Sequence, residues 1–232
     1  MAFSSILGMV LAFMAGSAAS WITQEPFSSW SVNKAVQVLN TSPWAKQETF
    51  TRVISGVGSG ISGEKEIFNT YYVRFLSARP IREAYARIQQ IQYGYDRMSP
   101  EEKRSFEIAQ MPNLDMDTSR WVVLSVSFRS NDPNEESSVR RFFQSETIKT
   151  LKTKAYLSTA SCPQVELSAY FPQHEESVGA KFVFPRRVNG VPVLTKDCEN
   201  ITLELLDVPG TDARLRATFA VKSMIVGNQL IF

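Results

Sequence analysis

Three arginines lie close together where a strand-like run meets a helix-like run. Arg74, Arg79 and Arg82 fall within the stretch YYVRFLSARPIREAYARI. Arginine recognises carboxylates and phosphates because its planar guanidinium presents N–H donors in a fixed fork. One hypothesis is therefore a ligand-binding site for an anion at this corner. The other is an ordinary strand-to-helix corner whose arginines are solvated or paired with acidic neighbours.

A hydrolytic site would have to use the single histidine of the chain, His174. Both Ser-His-Asp and Cys-His chemistry need an imidazole as the general base. His174 is predicted to lie in a loop between strands, beside Glu175 and Glu176, and Asp115 and Asp117 offer further carboxylates. The alternative is a surface loop residue without a catalytic role, and we assign no catalytic residue from the sequence.

The glycine-rich stretch GVGSGISGEKE imitates a phosphate-binding loop. Gly58 and Gly63 have the required spacing, but Glu64 follows where such a loop needs lysine. A carboxylate there would repel the phosphate, and the next element reads as a strand rather than a helix. We interpret the stretch as the connection of a hairpin.

Composition excludes several classes of partner. The 232 residues carry a net charge of +2, and no block of lysine and arginine forms a footprint for nucleic acid. One histidine and two cysteines leave too few ligands for a tetrahedral metal site, so neither a metal nor a cofactor is expected.

The N-terminus predicts export. Residues 1–20 contain no charged side chain, and small residues follow an apolar run from Ile6 to Ala15. This is the layout of a signal peptide cleaved after Ala18 or Ser20, and the run is shorter than the ~20 residues that span a bilayer. The predicted location is periplasmic or extracellular, with no membrane span in the mature chain. A buried or membrane-anchoring N-terminal helix is the alternative.

The two cysteines, Cys162 and Cys198, suggest a disulfide in an exported protein. Closing the loop between them would stabilise the fold by about 3–4 kcal/mol in the chain-entropy model. Two buried free thiols are the alternative.

The pattern of elements predicts an α+β fold. Ser31 and Ser99 are helix N-caps, and Pro80 is placed for the first turn of a helix. Val139, Phe142, Phe143 and Leu151 suggest one further helix. Residues 21–232 are interpreted as a single domain of helices packed on a largely antiparallel sheet, helix-rich in the first half and strand-rich in the second. Period-two alternation marks the strands RWVVLSVSFR, QVELSAYF, AKFVFPR, NITLELLDV and ARLRATFAVKSM.

Three tryptophans, Trp21, Trp30 and Trp44, lie near the predicted mature N-terminus. Exposed, they would form a platform for a partner or a glycan. Packed inward, they would hold the segment against the core.

Five segments follow one another along the chain: LNTSPWAKQ, VRFLSARPIREAYARI, RWVVLSVSF, KFVFPR and FAVKSMIVGNQLIF. Together they resemble a group of uncharacterised secreted proteins from Acidobacteria. The resemblance covers residues 31–232 and implies an exported bacterial protein, but no activity. Ser223 to Ile225 depart from the more basic version found in that group, which puts an electrostatic role of the last hairpin in doubt.

These observations favour a non-enzymatic, extracytoplasmic binding or accessory protein, with an envelope protein or a small ligand as partner. The site would be the corner of Arg74, Arg79 and Arg82, or the tryptophan segment. The alternative is an exported hydrolase that uses His174 with Asp115 and Asp117.

Export predicts a shortened chain. The intact mass of the protein recovered from the envelope fraction or the medium is expected to correspond to a chain starting at Ala19 or Trp21. A recovered chain that still starts at Met1 would contradict the predicted signal peptide.

Overall fold

A computed structural model of the chain describes residues 22, 25–55, 64–174 and 178–232. Several predicted features lie outside the described residues: the signal peptide, the glycines of the glycine-rich stretch, Trp21, Glu175 and Glu176. The fold is α+β with antiparallel sheets, as the sequence predicts.

The helices and strands follow in chain order. The α-helices are α1 (Val32–Thr41), α2 (Arg79–Gln92), α3 (Pro100–Leu114), α4 (Pro133–Ser145) and α5 (Ile148–Leu151). The strands are β1 (Ala45–Ser55), β2 (Glu64–Phe75), β3 (Trp121–Ser130), β4 (Ala155–Ser158), β5 (Val165–Glu166), β6 (Ala169–Phe171), β7 (Ala180–Pro185), β8 (Arg187–Val188), β9 (Val191–Pro192), β10 (Asn200–Leu206), β11 (Arg214–Ala220), β12 (Ile225–Val226) and β13 (Gln229–Leu230).

The predicted helix starts are confirmed. The Ser31 hydroxyl accepts from the backbone N–H of Lys34, and Ser99 forms a capping box with Glu102. Side-chain acceptors at these positions satisfy N–H groups that a helix start leaves unpaired. The predicted helix at Val139, Phe142 and Phe143 is confirmed as α4. Leu151 does not extend it, because Thr147 caps a separate helix, α5, after α4 has ended.

The larger sheet has five strands in the order β1-β2-β3-β7-β6, and every neighbouring pair is antiparallel. The strand that contains Tyr71–Phe75 is an inner strand of this sheet, since β2 pairs with β1 on one side and β3 on the other. Bulky residues on both faces of β2 fit this position, because an inner strand can be covered on either side.

One face of the larger sheet is apolar and forms the core. Tyr71 lies opposite Phe128, and Val73 lies opposite Val126. On the same face, Phe75 meets Phe219 of β11 edge to face, with ring centroids 4.7 Å apart. This contact joins the larger sheet to a second sheet of order β11-β10-β4-β5.

The opposite face carries polar residues in register. Arg74 on β2 lies opposite Ser125 on β3, and Ser125 lies opposite Lys181 on β7. Adjacent strands are about 4.8 Å apart, so these residues form a row across three strands. Helices α1 and α2 pack together near this face, and both contact Arg74. This face positions the candidate site.

The strand-rich second half closes with a hairpin. Gly227 and Asn228 join β12 to β13, and both have positive φ, of 51° and 64°. That conformation matches the two-residue turns that hairpins favour.

Trp30 and Trp44 are buried, so the described part of the tryptophan segment forms core rather than a platform. The Trp44 indole N–H donates to the carbonyl oxygen of Ile231 at 2.6 Å and thereby fixes the C-terminal segment. Among the described helices, none has both the length and the apolar character that crossing a membrane requires.

The predicted disulfide is not formed, because Cys162 and Cys198 are both free thiols. Each cysteine is held in its own turn. The backbone N–H of Cys162 donates to Thr159 Oγ1 at 3.1 Å, and the Cys198 thiol lies 3.5 Å from Thr195 Oγ1.

Candidate functional site

A cleft of about 580 Å³ opens above the polar face of the larger sheet. Its volume falls within the range of roughly 300–1,000 Å³ that ligand pockets occupy. No aspartate or glutamate lines the cleft in the part of the chain that the structure describes. The lining residues are Asn40, Tyr72, Arg74, Tyr85, Ser127, Phe128, Arg129, Arg140, Gln144, Gln173, His174 and Val178.

Arg74 is the buried cation of this cleft, with 7% of its surface exposed. Its Nε donates to Leu39 O at 2.6 Å, Nη1 to Ser127 Oγ at 2.8 Å and Nη2 to Asn40 Oδ1 at 2.9 Å. All of these acceptors are uncharged. The Tyr85 hydroxyl is a further uncharged partner of the Arg74 guanidinium.

Arg87 provides an internal comparison. It is as deeply buried as Arg74, at 6% exposed, but its Nη1 and Nη2 each donate to a carboxylate oxygen of Asp96 at 3.0 Å. Buried charges in proteins are normally paired in this way. Arg74 has no ion pair with any described carboxylate. The partial negative charge at the C-terminal end of α1, which includes Leu39, compensates only part of its charge.

Two further arginines lie at the rim of the cleft. Arg129 on β3 forms an ion pair with Glu136, with Nη1 and Oε1 2.8 Å apart. Arg140 on α4 is exposed, and its guanidinium forms no hydrogen bond or ion pair with a described residue. Since Glu136 offsets one rim arginine, the described charges leave one net positive charge at the rim and one at Arg74.

Two tyrosine rings lie close to the Arg74 guanidinium. Its central carbon lies 4.9 Å from the ring centroid of Tyr72 and 5.9 Å from that of Tyr85. Burial raises the pKa of the Tyr85 hydroxyl above its ordinary value, and the charge of Arg74 opposes part of this rise. The hydroxyl is therefore protonated at neutral pH, and it donates to Val178 O at 3.4 Å.

The three arginines predicted as one cluster have separate surroundings. Arg79 is exposed and paired with Glu83, Nε to Oε1, at 2.8 Å. Arg82 donates to the backbone carbonyls of Leu76, Ser77 and Leu114 at 2.6–3.0 Å. Burial, and then the neighbouring Arg79, lower the pKa of the Arg82 guanidinium. Of the three, Arg74 alone lines the cleft, while Arg82 lines a smaller neighbouring cavity.

His174 also lines the cleft, but the aspartates proposed with it do not. Asp115 ends α3 and lies 3.9 Å from Arg79 Nη1. Asp117 accepts from the backbone N–H of Ser119 at 2.9 Å, which lowers the pKa of its carboxyl group.

Sequence reasoning missed Arg129 and Arg140. A signal for Arg129 existed, because Ser125, Ser127 and Arg129 form a polar face opposite the predicted apolar face of β3. Arg140 gave no signal, since it stands beside Arg141 on an ordinary exposed helix surface.

Among the described residues, no three of the types His, Cys, Asp and Glu lie close enough together to hold a metal ion. No protein-family model, curated protein or solved structure matches this chain. The resemblance to secreted proteins of Acidobacteria therefore stays a prediction.

If Arg74 lacks a counter-ion, supplying one within the chain should stabilise the protein. Asn40→Asp keeps the acceptor for Nη2 and adds a negative charge. We expect the free energy of unfolding to rise by about 1 kcal/mol at pH 7, because hydrogen bonds to charged groups are stronger than neutral ones. Urea denaturation would measure this difference.

The gain should depend on pH. Arg74 would depress the folded-state pKa of the introduced carboxyl below its unfolded value of about 3.9. The gain is then present above that value and is lost as the pH falls through the folded-state pKa. Gln37→Glu is the matched control, since it adds the same charge to the exposed surface of α1. Equal effects of both substitutions would contradict the interpretation of Arg74.

Proposed function

We propose that this protein is a non-enzymatic binding protein for a small anionic ligand and that the cleft around Arg74 is its site. The observation that carries the proposal is a buried guanidinium whose described partners are all neutral. In the same molecule, the equally buried Arg87 has a carboxylate partner. A ligand carboxylate or phosphate would supply the missing counter-ion of Arg74.

The charges of the cleft favour a ligand with two negative groups. Arg74 provides one positive centre, and Arg140 with the Arg129–Glu136 pair provides another at the rim. Arg129 lies two positions beyond Ser127 on β3, which is about 6.6 Å along a strand. A ligand that places one anion against Arg74 and another near the rim would satisfy both centres.

Uncharged lining residues can fix the orientation of such a ligand. Four side chains supply hydrogen-bond donors and acceptors: Asn40, Ser127, Gln144 and Gln173. Tyr72 supplies an aromatic wall. Pockets that bind small molecules typically combine walls of this kind with a few well-placed polar groups.

The hydrolase alternative has less support. It rests on His174, which lines the cleft, and it requires a carboxylate to orient the imidazole. Neither Asp115 nor Asp117 lines the cleft, and within the described ranges no other acidic residue does. Substitution of His174 by alanine with retained anion binding would favour the binding function.

Export is the second part of the proposal. The apolar N-terminal run and the small residues after it support a protein that acts in the periplasm or outside the cell. The site would then meet its ligand in the envelope or in the medium.

Calorimetric titration at constant ionic strength tests the binding function. We expect succinate to bind about tenfold more tightly than acetate, because its second carboxylate reaches the positive rim. Raising the NaCl concentration from about 0.05 to 0.5 M should weaken the binding of both anions through screening.

The substitution Arg140→Gln should weaken succinate binding about three- to tenfold and leave acetate binding almost unchanged. The matched control is Arg141→Gln, which removes the same charge from the neighbouring position of α4, where the side chain is exposed and does not line the cleft. Failure of every anion to bind, or equal losses in both variants, would contradict the proposed function.

A further inference from the structure

Strand β1 forms one edge of the larger sheet. It pairs with β2 on one side, and no described strand pairs with its other side. The register of β1 with β2 is unbroken from Ala45 to Ser55, so the strand contains no bulge, and it contains no proline. A long, regular edge strand of this kind can pair with another strand, because its outer row of N–H and C=O groups lacks partners.

The register shows which backbone groups of β1 point outward. The Phe75 N–H donates to Trp44 O at 2.9 Å, so these opposing residues are a hydrogen-bonded pair at the start of the ladder. Because such pairs alternate in an antiparallel ladder, even-numbered residues of β1 direct their backbone groups at β2 and odd-numbered residues direct theirs outward. From position 47 onward, the outward residues are Gln47, Thr49, Thr51 and Val53, all of them exposed.

Strand β11 comes near β1 at the apolar face of the sheet but does not pair with it. β11 belongs to the second sheet, where its partner is β10. No backbone hydrogen bond joins the described residues of β1 and β11. The outward groups of β1 therefore have no backbone partner within the part of the chain that the structure describes.

The charges of β1 are complementary to those of a second copy of the same strand. Glu48 and Arg52 lie on one face of the sheet, opposite Tyr71 and Ile67 of β2. They are equally far from Phe50 in the sequence. If two copies pair antiparallel about a two-fold axis at Phe50, Glu48 of each copy lies opposite Arg52 of the other. Opposite charges in such positions favour pairing.

The outward backbone groups fit the same axis. Thr49 of each copy would lie opposite Thr51 of the other, and Gln47 would lie opposite Val53. All four residues direct their N–H and C=O groups outward, so these are hydrogen-bonded pairs. The symmetric arrangement contains four such pairs and therefore about eight backbone hydrogen bonds.

Other positions of the axis suit the charges less well. An axis one residue nearer the N-terminus would set Lys46 opposite Arg52. An axis one residue nearer the C-terminus would leave Glu48 opposite Ile54, without a cation. A shift of two residues would set two Glu48 side chains, or two Arg52 side chains, against each other. Like charges directly opposite destabilise strand pairing, so the charges select the axis at Phe50.

Glu48 has no cationic hydrogen-bond partner within one copy. It is half-buried, and burial raises the pKa of its carboxyl group, while the charge of Lys46 opposes this rise. Arg52 of a second copy would supply the missing partner. Arg52 can keep its own ion pair with Glu135, because a guanidinium has five N–H donors.

We propose that β1 is the interface of a homodimer, in which two copies of the chain pair antiparallel about a two-fold axis at Phe50. The two larger sheets then form one continuous sheet. A two-fold interface is closed, since each copy uses the same edge. The proposal does not rest on the anion site at Arg74.

Sedimentation equilibrium of the purified protein measures this assembly. We expect the apparent mass to approach twice that of one chain as the concentration rises from micromolar to millimolar. Thr51→Pro removes an outward N–H but no hydrogen bond to β2, and it should weaken dimerisation at least tenfold. Thr51→Ala is the matched control, because it keeps this N–H and should dimerise nearly as the wild-type protein does.

Two charge reversals test the register. Glu48→Arg and Arg52→Glu each place like charges opposite one another in a homodimer, so each variant alone should be largely monomeric. An equimolar mixture of the two variants has opposite charges at both positions and should regain the doubled mass. Because these variants leave the backbone unchanged, this test does not depend on whether proline is tolerated at position 51.

Three results would overturn the proposal. A wild-type protein that stays monomeric throughout would show that β1 does not bind a second copy, and a strand of a different protein would become the candidate partner. A doubled mass that persists in Thr51→Pro would assign the dimer to another surface. A mixture of the charge variants that stays monomeric would exclude the opposition of Glu48 and Arg52.

Discussion

The architecture around the cleft depends on one constraint, the burial of a guanidinium on the polar face of a sheet. Arg74 ties together the end of α1, through Leu39 and Asn40, and the middle of β3, through Ser127. The Tyr72 and Tyr85 rings lie within 6 Å of its guanidinium carbon, at 4.9 and 5.9 Å. Because taking a charge out of water is costly, this position would be a poor choice for stability alone. A ligand that binds there gains a cation already oriented and partly stripped of water.

The two faces of the larger sheet have different roles. The apolar face of the larger sheet packs against the second sheet through contacts such as Phe75–Phe219 and stabilises the domain. The other face is therefore free to carry polar groups, and its covering helices leave the cleft and the smaller cavity. Arg74 and Lys181 lie at two ends of one cross-strand row, so the same register positions both cavities.

Much of this fold could be predicted from local patterns. Ser31 and Ser99 identified helix starts because a cap depends on neighbouring residues alone. Alternation identified the strands, although it did not reveal that α5 and β4 follow α4.

The site was only partly predictable. Arg74 was selected, but the grouping with Arg79 and Arg82 followed sequence proximity, whereas Arg140 reaches the same cleft from a helix more than 60 residues away. Whether Arg74 and Arg140 lie at the same cleft depends on strand order and helix packing, which local sequence patterns do not encode.

The central claim is that an anionic ligand supplies the counter-ion of Arg74. NMR of arginine side chains tests this claim most directly. In ¹⁵N-labelled protein, the Nε–Hε signal of Arg74, assigned through an Arg74→Lys variant, would be followed during a succinate titration. The account predicts a saturable shift of this signal, with the signal of the paired Arg87 unchanged. A shift confined to exposed arginines, with Arg74 unaffected at saturating succinate, would contradict it.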